Sequence, residues 1–93
     1  MHGYEDFSTG CSSLEYLDIS NIDTSSATKI ETMFNGCSSL KTLKINKFSM
    51  ESVTEYRDVF KNIPSTVSIT TNAMMQEWLS TNYPSLTNIT LVD

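Results

Sequence analysis

"GCSSLEYLDI" runs from Gly10 to Ile19, and "GCSSLKTLKI" runs from Gly36 to Ile45. The second phrase repeats the first at an offset of twenty-six positions and keeps seven of its ten letters. Only Glu15 to Lys41, Tyr16 to Thr42 and Asp18 to Lys44 change. Self-similarity at a fixed period marks a repeat architecture. The match extends outward at the same offset. Cys11 aligns with Cys37, Leu14 with Leu40, Leu17 with Leu43 and Ile19 with Ile45. Further on, Ile22 meets Phe48, Ala27 meets Val53, Ile30 meets Tyr56, Met33 meets Val59 and Phe34 meets Phe60. Every aligned pair is apolar, while the residues between drift.

Two apolar periods alternate within each unit. Leu14, Leu17 and Ile19, like Leu40, Leu43 and Ile45, spell L-x-x-L-x-I. Residues 17 and 19 share one side of a strand, and residue 18 takes the other. The segments "DTSSATKIETMF" and "SMESVTEYRDVF" then place apolar residues at helical spacing, which predicts a short helix in each unit. Thr24 or Ser25, and Ser49, are the expected N-caps. A single unit cannot bury its own strand edge and helix stripe, so neighbouring units must stack.

The string "MFNGCSSLKTLKI" (Met33 to Ile45), with "DTSSATKIETMF" before it, resembles the bacterial surface-protein 26-residue repeat, the BspA-like leucine-rich repeat. The resemblance is close over about residues 7 to 63. It implies an α/β repeat fold: a right-handed leucine-rich-repeat solenoid of short parallel strands and short helices, about three to four layers deep. It also implies a secreted or surface-anchored bacterial protein that attaches to hosts or other cells. Similar repeats occur in some eukaryotic parasites.

The period loosens after Phe60. Val67 and Ile69 read as the next strand pair, twenty-four positions after Leu43 and Ile45. Leu86, Ile89 and Leu91 read as a fourth strand, twenty-two positions further on. Between them "NAMMQEWLSTN" predicts a helix capped by Asn72 and ended by Asn82 and Pro84. Trp78 and Tyr83 suit a covering role at the end of an array. The expected division is residues 1–9 as cloning remnant and tail of a truncated preceding repeat, 10–35 and 36–61 as two repeats, and 62–93 as an irregular repeat with a C-terminal cap. Tyr4 to Phe7 resembles the tail of a preceding helix. The expected core is Cys11, Leu14, Leu17, Ile19, Cys37, Leu40, Leu43, Ile45, Val67, Ile69, Trp78, Leu86, Ile89 and Leu91.

Chemistry is excluded more readily than assigned. The only histidine is His2, so a Ser-His-Asp or Cys-His arrangement has one residue to draw on. No phosphate-binding glycine motif occurs. "DISNID" (Asp18 to Asp23) lacks the glycine and distal glutamate of a calcium loop and reads as a solvated turn. Two cysteines are too few for a zinc site or a disulfide scaffold. Cys11 and Cys37 hold equivalent places, and stacked Cβ vectors favour buried free thiols over a bridge. Asn88-Ile89-Thr90 is a formal glycosylation sequon within a predicted strand. No enzyme activity, cofactor or metal is expected.

Composition points the same way. Hydrophobic content is 39% and charged content 18%, which is a globular balance. The net charge of −5 disfavours nucleic acid and anionic membranes as partners. No apolar run is long enough for membrane insertion by this chain, and no export signal is present in it. The expected partner is a protein or cell-surface ligand, with end-to-end self-association at the N-terminal face. The candidate binding residues are the outward strand positions. By the expected register they form three ladders: Tyr16, Thr42, Thr66 and Asn88; Asp18, Lys44, Ser68 and Thr90; Ser20, Asn46, Thr70 and Val92. The expected function is non-catalytic adhesion at the cell surface, with a stalk or spacer as the alternative.

Overall fold

A computed structural model of the chain describes residues 12–30, 34 and 36–92. Four short strands form one parallel sheet in sequence order: β1 (Tyr16–Asp18), β2 (Thr42–Lys44), β3 (Ser68–Thr71) and β4 (Ile89–Leu91). One helix, α1 (Ala73–Asn82), joins β3 to β4. The fold is therefore a small α/β arrangement.

The strands pair as the repeated letters require. Leu17 faces Leu43, and Leu43 faces Ile69. The period of the repeated phrase thus persists into β3, which corrects the shortened spacing expected there. The cause lies in the preceding turn. Leu40, Val67 and Leu86 are all buried, and each donates its N–H to the carbonyl three residues back, on Cys37, Pro64 and Tyr83. Val67 therefore fills the place of Leu40, not that of Leu43. One residue is gained before this turn and one is lost after it, so the strands return to register. The final step is shorter than expected: Ile69 pairs with Ile89, twenty positions on.

The two short helices predicted after β1 and β2 do not form in the described residues. Ala27 to Ile30 and Val53 to Phe60 are bends, bridges and turns. Some of their amides bond between units, and those of Ala27, Val53 and Val59 close isolated turns onto Thr24, Met50 and Tyr56. Lys29 and Glu55 make a parallel bridge. Thr54 and Glu55 donate to Thr28 O, Ile30 to Glu55 O, Phe34 to Val59 O and Gly36 to Lys61 O. β-branched and short polar residues favour such cross-chain bonding over a helix. Asp58 and Asn62 sit at φ 59° and 67°, which interrupts any helix there. Gly36 has φ 88°, and Asn62, one period later, takes the same left-handed role with a side chain that tolerates it. Met33, Cys11, Gly10, His2 and the Tyr4–Phe7 segment lie outside the described residues.

Thr24 also departs from its expected capping role. It is fully buried, donates its hydroxyl to Ser49 O at 2.9 Å and accepts from Ser49 N at 2.8 Å. It ties two units together. Ser49 caps no helix; its Oγ accepts from Glu51 N.

The core contains Ile19, Cys37, Leu40, Leu43, Ile45, Val67, Ile69 and Leu86, as expected, and adds Ile30, Phe34, Phe48, Val59, Phe60, Met75 and Leu79. Each such side chain contributes about 1.5–3 kcal/mol by leaving water. Leu14, Leu17, Trp78 and Ile89 are half-buried. Leu91 is a correction: it is 48% exposed, because no further strand lies over β4 among the described residues. Phe34 stacks on Phe60 at 5.3 Å and lies 6.0 Å from Phe48. The aromatic column continues through Phe60 to Trp78 and Tyr83 on the α1 side.

Cys37 is fully buried and disulfide-bonded. This corrects the free-thiol reading. Cys37 lies five residues ahead of β2, in the turn, where the strand pleat does not dictate the direction of Cβ. The chain's other cysteine is Cys11, outside the described residues.

Candidate functional site

The outward face of the sheet is built by alternation. Because Leu17, Leu43 and Ile69 face the core, their neighbours face out. The observed rows differ from the expected ones at β3. Tyr16, Thr42 and Ser68 make one row, with Ser68 in place of Thr66. Asp18, Lys44, Thr70 and Thr90 make the second, with Thr70 in place of Ser68. Asn88 adjoins the first row, where its carbonyl accepts from Ile69 N. Ser20, Asn46 and Val92 lie beyond the strand ends, and Thr66 lies in the turn before β3. The next residue after β3 on the Asn46 side is Asn72, whose Nδ2 donates to Asn46 O. The Oδ1 atom of Asn46 is enclosed and has no partner among the protein atoms.

The three letters that vary between the repeated phrases meet across β1 and β2. Lys41 Nζ lies 3.1 Å from Glu15 Oε1. Lys44 Nζ lies 5.8 Å from the centre of the Tyr16 ring, a cation–π distance. Lys44 also faces Asp18 in register. Hydrogen bonds from the Ser20 hydroxyl and N–H hold the Asp18 carboxyl below the usual carboxylate range, and Lys44 adds a smaller pull. Asp23 is lowered in the same way, by the N–H and hydroxyl of Ser25 with a smaller contribution from Lys47. Both carboxylates are exposed, and both close two-residue side-chain turns at the loop between β1 and the next segment.

The face is open to solvent. Tyr16, Asp18, Asn88 and Thr90 are exposed, and Thr42, Lys44, Ser68 and Thr70 are half-buried. It presents hydroxyl and amide groups and a few charges. Among the described residues no three of His, Cys, Asp and Glu converge as metal ligands. No helix among them is long and apolar enough to cross a membrane.

Sequence reasoning missed a concave feature away from the sheet face. A cavity of about 380 Å³ opens between the turn at Ser49–Glu51 and α1, with Met50, Met74, Met75 and Trp78 among its walls. The helical spacing of Met74 or Met75, Trp78 and Leu79 marks an apolar face of α1, but it does not show which of these side chains stays uncovered. Met75 and Leu79 are buried; Met74 is 73% exposed.

No curated protein and no solved structure matches the chain. One family model does, over residues 4–89, and its description is "Mycoplasma protein of unknown function, DUF285". The match spans nearly the whole sequence, and the chain belongs to that family.

Proposed function

We propose that the chain is a non-catalytic binding module built from BspA-like leucine-rich repeats, coiled as a right-handed solenoid on a cell surface. Its partners would be proteins or other cell-surface ligands, and its role adhesion. The observation that carries this reading is the open polar face of the sheet. Parallel sheets are ordinarily covered on both faces. Here one face buries Leu43 and Ile69, while the other presents Tyr16, Asp18, Lys44 and Thr90. Stacked repeats offer such faces to macromolecules. The cross-unit bonds at Thr24–Ser49 and Lys29–Glu55 support a continuous coil, because they join the units away from the sheet as well.

The test is attachment of beads coated with the chain to cells, compared with beads carrying Tyr16→Ala, Asp18→Ala and Lys44→Ala together. Loss of attachment with the folded variant supports the reading. Undiminished attachment refutes a binding role for this face, and a stalk that holds another domain away from the cell becomes the better account. Brief trypsin treatment of intact source cells tests location separately. Release of the peptide Ile30–Lys41 before lysis places the repeats outside; its appearance only after lysis removes the surface reading.

A further inference from the structure

We propose that the groove between the Ser49–Glu51 turn and α1 is a docking site for a basic, amphipathic segment of a partner protein. The proposal deepens the binding reading but stands on a different part of the molecule. Three observations carry it.

The first is the wall. Trp78 is held edge-on by Tyr56 at 5.5 Å and lies 5.9 Å from Tyr83 and 6.2 Å from Phe60. Three rings fix it, so it offers a rigid apolar surface at little entropic cost. The second is the rim of the apolar space. Met74 is 73% exposed and Met50 half-buried, and both line the cavity. Unbranched thioether side chains adapt to apolar partners and are over-used at such surfaces. A methionine so exposed on a helix that already buries Met75 and Leu79 adds nothing to the core.

The third is charge, and it selects the occupant. Glu51 and Glu77 border the groove. No ion pair among the described residues engages either one. The chain carries a net charge of −5. Two unpaired carboxylates beside an apolar trough complement lysine or arginine flanking an apolar side chain. An acidic or uniformly apolar segment would leave them desolvated and unmatched. The volume of about 380 Å³ accepts a few side chains and not a folded domain. A short helical segment laid along α1 has the required shape.

Trp78 is the chain's only tryptophan, so its fluorescence reports on the groove. The probe is a synthetic peptide of about 14 residues with leucine at helical spacing and lysine elsewhere. Controls are the same pattern with glutamate and a lysine peptide without leucine. The Lys/Leu peptide should shift Trp78 emission and bind more weakly as salt rises. Met74→Ser should weaken binding at least about fivefold. Glu51→Gln with Glu77→Gln should weaken it about three- to tenfold. All three positions are exposed, so circular dichroism should show each variant folded.

Four results would overturn the proposal. One is no emission change up to about 1 mM peptide. The second is equal binding of the Glu/Leu peptide. The third is equal binding of the leucine-free peptide, which would reduce the effect to net charge. The fourth is an emission change with the protein's own concentration that Met74→Ser abolishes, which would make the occupant a second copy. The Tyr16, Asp18 and Lys44 variant should bind the peptide normally, so failure of the groove and failure of the sheet face are distinguishable.

Discussion

Asn72 is the residue on which the junction between the repeated units and α1 depends. Its Oδ1 accepts from Met75 N at 2.9 Å and caps the helix. Its Nδ2 donates to Asn46 O at 2.9 Å and to Phe48 O at 2.8 Å, in the turn that follows β2. Asn72→Ala removes all three bonds. Loss of an N-cap costs about 1 kcal/mol. Each lost donation to a carbonyl costs about 0.5–1.5 kcal/mol net. Together the expected destabilisation is about 2–4 kcal/mol. For a domain of this size each kcal/mol lowers the midpoint by about 4–8 °C, so the shift should be on the order of 8–32 °C. Asn72→Asp separates the two functions. It retains an acceptor for Met75 N and suits the helix N-terminus. It loses both donations and turns an oxygen toward two carbonyls, so it should still cost about 1–3 kcal/mol. Urea unfolding followed by circular dichroism measures both variants. An Ala variant within about 0.5 kcal/mol of the parent would refute the reasoning, and an Asp variant as stable as the parent would show that the amide bridge contributes nothing.

Three further outcomes are expected. Thr24→Val should destabilise by about 2–3 kcal/mol, because it leaves a Ser49 N–H without its acceptor, whereas Thr71→Val should stay within about 1 kcal/mol, because the Ile45 carbonyl it releases still accepts from Phe48 N; urea titrations that rank them the other way would refute this. A reductant should raise the intact mass by two hydrogens and lower stability by about 3.5 kcal/mol, the chain-entropy value for a loop of about 26 residues between Cys37 and Cys11, and an unchanged mass would overturn the bridge. Asp18 and Asp23 have lowered folded-state values, so their contribution is present above the unfolded aspartate range and lost as pH falls through their folded values; the drop in melting temperature between neutral pH and about pH 3 should be smaller in Asp18→Asn with Asp23→Asn, and an identical drop would count against these turns.

The apolar letters of the repeated phrase were legible as a parallel sheet because burial and pairing act on the same residues. Leu17, Leu43 and Ile69 stack, and their polar neighbours face outward, as a period of two requires. α1 was legible from Asn72, since an acceptor before an apolar periodic run has a local meaning. The segments after β1 and β2 were not, because their apolar spacing satisfies two structures. Ala27, Ile30 and Phe34 are buried at helical intervals, yet the Ile30 and Phe34 amides bond to the neighbouring unit and the Ala27 amide closes a turn onto Thr24 O. Side-chain spacing reports which residues turn inward and says nothing about where the amides go. The β3 register failed for a related reason. "VSI" imitates the end of L-x-x-L-x-I, and only the turn bond from Val67 to Pro64 shows that Val67 is the equivalent of Leu40. Thr71, polar and fully buried in the row of Ile45, concealed the true alignment further.

The variation at Glu15, Tyr16 and Asp18 follows from stacking before any ligand is considered. In a parallel sheet, residues one period apart stand about 4.8 Å apart. Identical apolar letters can occupy such a row, because Leu over Leu buries surface. Identical charges cannot: a second Glu15 or Asp18 would place carboxylate over carboxylate. Lysine at positions 41 and 44 turns repulsion into attraction, as the Glu15–Lys41 contact at 3.1 Å shows. Thr42 leaves room for Lys44 to lie against the Tyr16 ring. The face therefore answers most of its own charges. What it leaves exposed is the uncovered part of Tyr16, 53% exposed, and the hydroxyl and amide groups of Asn88 and Thr90. Glu51 and Glu77, which make no ion pair among the described residues, lie beside the groove at α1. On the proposed binding role, recognition would divide between a sheet face suited to broad, weak contact and a groove suited to a single apolar anchor with basic flanks. Salt should then act mainly on the second.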